Sequence, residues 1–191
     1  MTMECETLLK FIDLFSEHLK NLKNYIDLES VEKMIDAIES SKAVFVVGAG
    51  RSGYIAKAFA MRLMHLGYTV YVVGETVTPR ITKDDVLIAI SGSGETISVV
   101  NISKKAKEVI GSKLIAVTGN ESSTLAKSAD IVVLIRAKIK TVKDEVISQL
   151  APLGTMFELT AMVFLDALIS ELMFRKKLTE KDLEARHAVL E

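Results

Sequence analysis

Val86-Leu87-Ile88-Ala89-Ile90-Ser91-Gly92-Ser93-Gly94-Glu95-Thr96 passes directly from an unbroken apolar run to a turn carrying three hydroxyls and two glycines. The apolar part shows no alternation of polar and apolar residues. That is the pattern of a strand buried on both faces. Four more short runs share it, at 44–47, 70–73, 114–117 and 131–135. Each is bounded by Gly, Ser, Thr or Asp, and helical spacing fills the intervals at 54–66, 97–110 and 122–127. Strand and helix in this rhythm predict an α/β protein, a three-layer doubly wound sandwich around a five-stranded parallel sheet.

Helices flank this core. Leu8, Phe11, Ile12, Phe15, Leu19 and Leu22 line one face of a predicted helix over 7–22, with His18 on its polar, solvated side. A second amphipathic segment covers 30–39. After Pro152-Leu153-Gly154 a long apolar helix starts near Thr155, and a polar segment spans 179–191. Residues 1–191 thus read as one domain, with N-terminal helices in 1–40, a βαβ core in 41–136 and C-terminal helices in 150–191. Apolar faces on the terminal helices suggest a homo-oligomer, a dimer or tetramer.

Composition removes several function classes. With 191 residues, 49% of them hydrophobic, the chain can bury a core, and with no Trp, 2 Pro and no low-complexity run it is not a disordered protein. Lys and Arg number 24 against 25 Asp and Glu. A nucleic-acid binder relying on a broad basic surface is therefore excluded, while a local site for a small anion stays open. The most apolar stretch, 159–174, is interrupted by Asp166 and Glu171 and is too short and charged to cross a membrane. A single cysteine, Cys5, and a beginning Met1-Thr2-Met3-Glu4-Cys5-Glu6 without a leader pattern fit a cytoplasmic protein.

In a doubly wound sheet, ligands gather beyond the carboxyl ends of the strands. Gly48-Ala49-Gly50-Arg51-Ser52-Gly53 follows the first strand and fits a dinucleotide fingerprint, with Glu75 a late candidate for the ribose hydroxyls. The turn 91–96 weighs against that reading. Ser91, Ser93 and Thr96 sit among backbone N–H groups at a helix N-terminus, where the dipole favours an anion, and Gly92 and Gly94 permit close approach. One cap would explain one hydroxyl, whereas three suit a terminal phosphomonoester. The loop 118–124 is a wall of the pocket or a helix cap through Ser122 or Ser123.

These two loops, with the Val117-Thr118-Gly119-Asn120 turn, resemble the sugar isomerase (SIS) domain, whose phosphate signature S-x-S-G-x-T is matched by Ser91, Ser93, Gly94 and Thr96. Further stretches resemble one branch, the 3-hexulose-6-phosphate isomerases: residues 60–67, Val73-Gly74-Glu75, Pro152-Leu153-Gly154-Thr155-Met156-Phe157-Glu158, and the ending Arg186-His187-Ala188-Val189-Leu190-Glu191. Val189 departs from an Asn common in that branch. The resemblance implies a flavodoxin-like SIS fold working without a cofactor, and no H-x-x-x-H or clustered carboxylate pattern in the sequence points to a metal. It also implies a phosphorylated ketohexose substrate whose carbonyl moves between C3 and C2, interconverting 3-hexulose 6-phosphate and fructose 6-phosphate in the ribulose monophosphate route of formaldehyde metabolism.

By the same resemblance Glu158 is the proton acceptor. From its spacing alone, Thr155-x-x-Glu158 reads as a capping box. Ser52, Ser91, Gly92, Ser93, Gly94, Glu95 and Thr96 are expected to hold the phosphate, with Gly50 and Arg51 at the same mouth; an interface ion pair is the other reading of Arg51. His65, in the last turn of a helix, reads as structural. His187 could polarise the carbonyl, from this chain or a neighbouring one, or lie on a helix surface. Two further readings stay open: a non-catalytic SIS sugar-phosphate regulator, disfavoured by the absence of a DNA-binding segment, and another phosphosugar aldose–ketose isomerase.

Overall fold

Each of the five apolar runs forms a strand, and all neighbouring strands are parallel. The computed structural model describes residues 5–137 and 144–190. Residues 1–4, part of the stretch read for a leader, and Glu191, the last residue of the ending 186–191, lie outside the described residues. The strands are β1 (Val44–Gly48), β2 (Val70–Val72), β3 (Val86–Ser91), β4 (Lys113–Thr118) and β5 (Ile131–Leu134), in the order β2-β1-β3-β4-β5. In the register, Val46 pairs with Ile88 and Ala89 with Ala116.

Alternate residues along each strand enter different cores. Val44, Val46, Ile88, Ile90, Ile115 and Val117 join one cluster, while Phe45, Val47, Leu87, Ala89, Leu114 and Ala116 join the other. The first cluster is covered by helices over Leu28–Ser40 (α2), Arg51–His65 (α3) and Thr155–Arg175 (α7); the second by Ile97–Lys104 (α4) and Thr124–Ser128 (α5). Burial of each large aliphatic side chain such as Ile88 or Ile115 stabilises the fold by about 1.5–3 kcal/mol. The predicted three-layer α/β sandwich is what these residues build.

Helices over Glu6–Leu22 (α1), Asp144–Leu150 (α6) and Glu180–Glu184 (α8) complete the described elements. Helix α3 starts three residues earlier than its apolar spacing suggests, directly after Gly50. Helix α4 runs on through a π-helical segment, Lys105–Ile110. Ser123, not Ser122, caps α5, its hydroxyl accepting from Ala126 N at 3.2 Å. His18 departs from expectation. It is 2% exposed and bonds the Thr160 hydroxyl on α7 at 2.9 Å, because α7 covers the side of α1 that a helical projection assigns to water. Burial holds its pKa below the ordinary value.

Because β1 and β3 are neighbours, yet α3 and α4 leave them toward opposite faces, their carboxyl ends part to form a crevice. That is the topological switch point of a doubly wound sheet.

Candidate active site

Ser91 is the last residue of β3 and is buried at the floor of the turn. Its hydroxyl lies 3.1 Å from that of Thr96 and accepts from Gly94 N at 3.1 Å. Thr96 precedes α4 without a side-chain capping bond, so its hydroxyl stays with Ser91 at the mouth of the helix. Ser93 Oγ accepts from Glu95 N at 3.2 Å. Gly94 has φ +67°, and a Cβ there would fall 2.1 Å from Ser123 Oγ, so glycine is required twice over. Gly92 meets the opposite limit, since a Cβ would stand 2.8 Å from Phe157 Cδ1 on α7.

The turn opens into a cleft of about 860 Å³, within the range of small-molecule sites. Ser52, Gly92, Ser93 and Thr96 line it with Glu158; Ser91 and Gly94 support the turn from beneath. Gly50 stands just ahead of α3. Glu95 is directed elsewhere: its carboxylate accepts from Thr124 N at 2.8 Å, bracing the loop before α5. That backbone bond is the main reason its pKa is held below the ordinary carboxylate value.

Glu158 lies in the first turns of α7, its side chain 14% exposed. The capping box does not form. Gly154 is the N-cap and Thr155 Oγ1 instead donates to Pro152 O at 2.6 Å. Glu158 Oε2 accepts a hydrogen bond from Arg51 Nε, across 107 residues of sequence. Arg51 is 61% exposed and, with Tyr54 and Glu158, lines an adjoining hollow of about 280 Å³. Glu158 therefore borders both spaces. A carboxylate held from one side and open to the cleft on the other is suited to proton transfer.

His187 is not brought to this cleft. Its ring stacks on His65, centroids 5.3 Å apart. His65 ends α3 and Arg51 begins it, which places about 21 Å of helix between them. His65 is buried, and burial, with His187 and Arg62 close by, keeps its pKa below the ordinary value. The neutral imidazole is therefore favoured here, although a helix C-terminus alone would favour the cation. Glu75 pairs with Lys57 at 2.6 Å.

Sequence reasoning missed Tyr25, Phe157 and Leu153 in the cleft wall. Tyr25 comes from the turn between α1 and α2, and Leu153 is 97% exposed with φ 53°. Nothing local marks Tyr25, whereas Leu153 and Phe157 lie in the 152–158 stretch that carries the family resemblance, which singled out only Glu158. Arg136 also lines the cleft, and its place directly past the fifth apolar run was a usable signal under the strand-end rule.

The family model for the SIS domain matches residues 37–168. The chain belongs to the SIS domain family. The 3-hexulose-6-phosphate isomerase of Methanocaldococcus jannaschii is 41% identical to it, over 95% of this chain and 98% of the relative. A crystal structure of a hypothetical protein from Methanococcus jannaschii, described as inferring the function of 3-hexulose-6-phosphate isomerase, aligns with TM-score 0.84 at 41% identity, covering 94% of this chain and 98% of that one. The 3-hexulose-6-phosphate isomerase of Bacillus subtilis is 39% identical, over 96% of this chain and 100% of the relative. The resemblance read from the SIS loops is thus borne out along the chain. Among the described residues no helix is long and apolar enough to cross a membrane.

Proposed function

We propose that this SIS protein is a 6-phospho-3-hexuloisomerase, interconverting 3-hexulose 6-phosphate and fructose 6-phosphate. The observation that carries the reading is that Glu158, braced by Arg51, borders the same cleft as the hydroxyls of Ser52, Ser93 and Thr96. The turn at the N-terminus of α4 would hold the phosphate, fixing the sugar chain so that C2 and C3 face the carboxylate. Glu158 takes the proton from the carbon beside the carbonyl and a 2,3-enediol forms. The carboxylic acid so formed exchanges its proton with solvent and returns one to the neighbouring carbon while a hydroxyl proton crosses to the former carbonyl oxygen, so the reaction is redox-neutral overall. No cofactor is needed for this chemistry.

The 41% identity to a relative named for this activity supports the finer assignment, as does the place of Glu158 in the motif 152–158. The wider context goes with it: a cytoplasmic enzyme of the ribulose monophosphate route, acting as a homo-oligomer through exposed apolar residues such as Leu8, Leu9 and Tyr54. His187 has no route to Glu158 within one chain, so a catalytic role for it would be exercised at the cleft of a second copy.

Incubation with fructose 6-phosphate in deuterated water tests the reading. Deuterium at C3 together with the 3-ketose is the expected result. Exchange at C1 instead would mark an aldose–ketose isomerase. Binding without exchange would mark a sugar-phosphate regulator.

A further inference from the structure

The phosphate turn has an electrostatic gap. Its ligands are hydroxyls and backbone N–H groups, and its one charged residue is acidic, Glu95. Glu121 and Glu158 add two carboxylates to the cleft wall, of which Glu158 is matched by Arg51. A phosphomonoester carries close to two negative charges at neutral pH. Among the described residues lining the cleft, Arg136 is the one Lys or Arg. It makes no ion pair or hydrogen bond with another described residue.

The backbone carries Arg136 toward the turn. Ile135 N donates to Thr118 O at 2.8 Å, and Gly119 N donates to Gly92 O at 3.0 Å, so the residue before Arg136 is tied through the end of β4 to the phosphate turn itself. A Cβ on Gly119 would lie 3.6 Å from Ile135 O, which shows how closely the two segments approach. Across the sheet the order is Arg51 after β1, the turn after β3, the loop after β4, then Arg136 after β5. At about 4.8 Å per strand, Arg136 lies about 10 Å on one side of the turn and Arg51 about 5 Å on the other. Arg51 and Glu158 occupy the side where the sugar must extend to be deprotonated. Arg136 therefore stands on the β5 side of the turn, opposite Arg51 and Glu158.

We propose that Arg136 is a substrate-binding residue that clamps the phosphate from the β5 side and supplies the positive charge the turn lacks. The guanidinium presents parallel N–H donors to two phosphate oxygens, a geometry lysine does not reproduce. This deepens the reading of the cleft as a sugar-phosphate site and rests on it.

The test uses the full chain and its R136Q and R136K variants, with affinities for inorganic phosphate and for fructose 6-phosphate measured by calorimetry and proton exchange by NMR. Arg136 is exposed, and unchanged melting temperatures show that the variants fold. R136Q is expected to weaken both ligands about ten- to hundredfold, the span of a charge-assisted contact, with R136K recovering part of it. Unchanged phosphate affinity in R136Q overturns the proposal. So does a loss confined to fructose 6-phosphate, which would place the guanidinium on the sugar. A wild-type chain that binds phosphate without exchanging protons, and loses that binding in R136Q, upholds the clamp while the isomerase reading falls. Proton exchange with R136Q affinities equal to wild type does the reverse, and binding of neither phosphate nor fructose 6-phosphate by wild type defeats both.

Discussion

Replacing Glu158 by glutamine separates the base from its surroundings more cleanly than any other change. The amide keeps an oxygen where Arg51 Nε donates, and the side chain sits at the edge of the cleft, 14% exposed. With Arg51 61% exposed, solvent already screens the pair, so losing its charge changes stability by less than about 1 kcal/mol. What disappears is the lone pair that takes the proton. A positioned general base contributes about 10²–10⁴-fold, so kcat of E158Q should fall by that factor, about 2.7–5.5 kcal/mol of barrier. Phosphate affinity should hold, since Ser91, Ser93 and Thr96 belong to the β3–α4 turn. E158D keeps the carboxylate but withdraws it by about one bond, 1.5 Å, and about hundredfold loss is expected. The assay is deuterium incorporation at C3 of fructose 6-phosphate, followed by NMR, with inorganic phosphate affinity measured alongside. Full exchange in E158Q would refute the assignment, and a matching fall in phosphate affinity would show that Glu158 shapes the site instead of reacting.

Three further outcomes follow from the geometry. G94A should lower stability by about 2–3 kcal/mol, from φ +67° and the displaced Ser123 cap, and weaken phosphate binding; urea unfolding with a phosphate titration reads both. R51M should cut kcat about tenfold by freeing the Glu158 carboxylate while phosphate affinity stays within a factor of about two, so a kcat-against-KM split is the readout. His18 and His65 are buried with lowered pKa values, so the unfolded chain binds protons that the folded chain does not. The stability they confer is complete above about pH 6.5 and is lost as the pH falls toward the folded-state values; the urea midpoint should drop between pH 7.5 and 5, with a smaller drop in H18Q.

The strands were legible because both faces of this sheet are covered, which leaves no polar positions to confuse the period. The place of the 91–96 turn at the cleft was legible because its hydroxyls and glycines are concentrated in six consecutive residues at a strand end. The missed features depend on contacts between distant segments. His18 reads as polar on its own helix, and only α7, some 140 residues later, buries it. Thr155-x-x-Glu158 has the spacing of a capping box, but Gly154 takes the N-cap position and Arg51, 107 residues earlier, takes the carboxylate. Tyr25 reaches the cleft through the packing of the α1–α2 turn, which no local pattern encodes. The short helices α6 and α8 lack the length over which an apolar period becomes visible.

The order of loops across the sheet also bears on which bond of the sugar reacts. On the proposed function, the phosphate is held over β3 while the Glu158 carboxylate stands toward β1, so the base would address atoms at a set distance from the phosphate and not at a set distance from the carbonyl. Counted from the phosphate-bearing carbon of a ketohexose 6-phosphate, C3 and C2 are the third and fourth carbons along. In a pentulose 5-phosphate the third and fourth are C2 and C1. One spacing between turn and base therefore yields a carbonyl shift between C2 and C3 on the longer sugar, and aldose–ketose chemistry on the shorter. In the proposed mechanism the 91–96 turn sets the ruler, Glu158 marks the point on it, and the length of the substrate decides which carbon lies there.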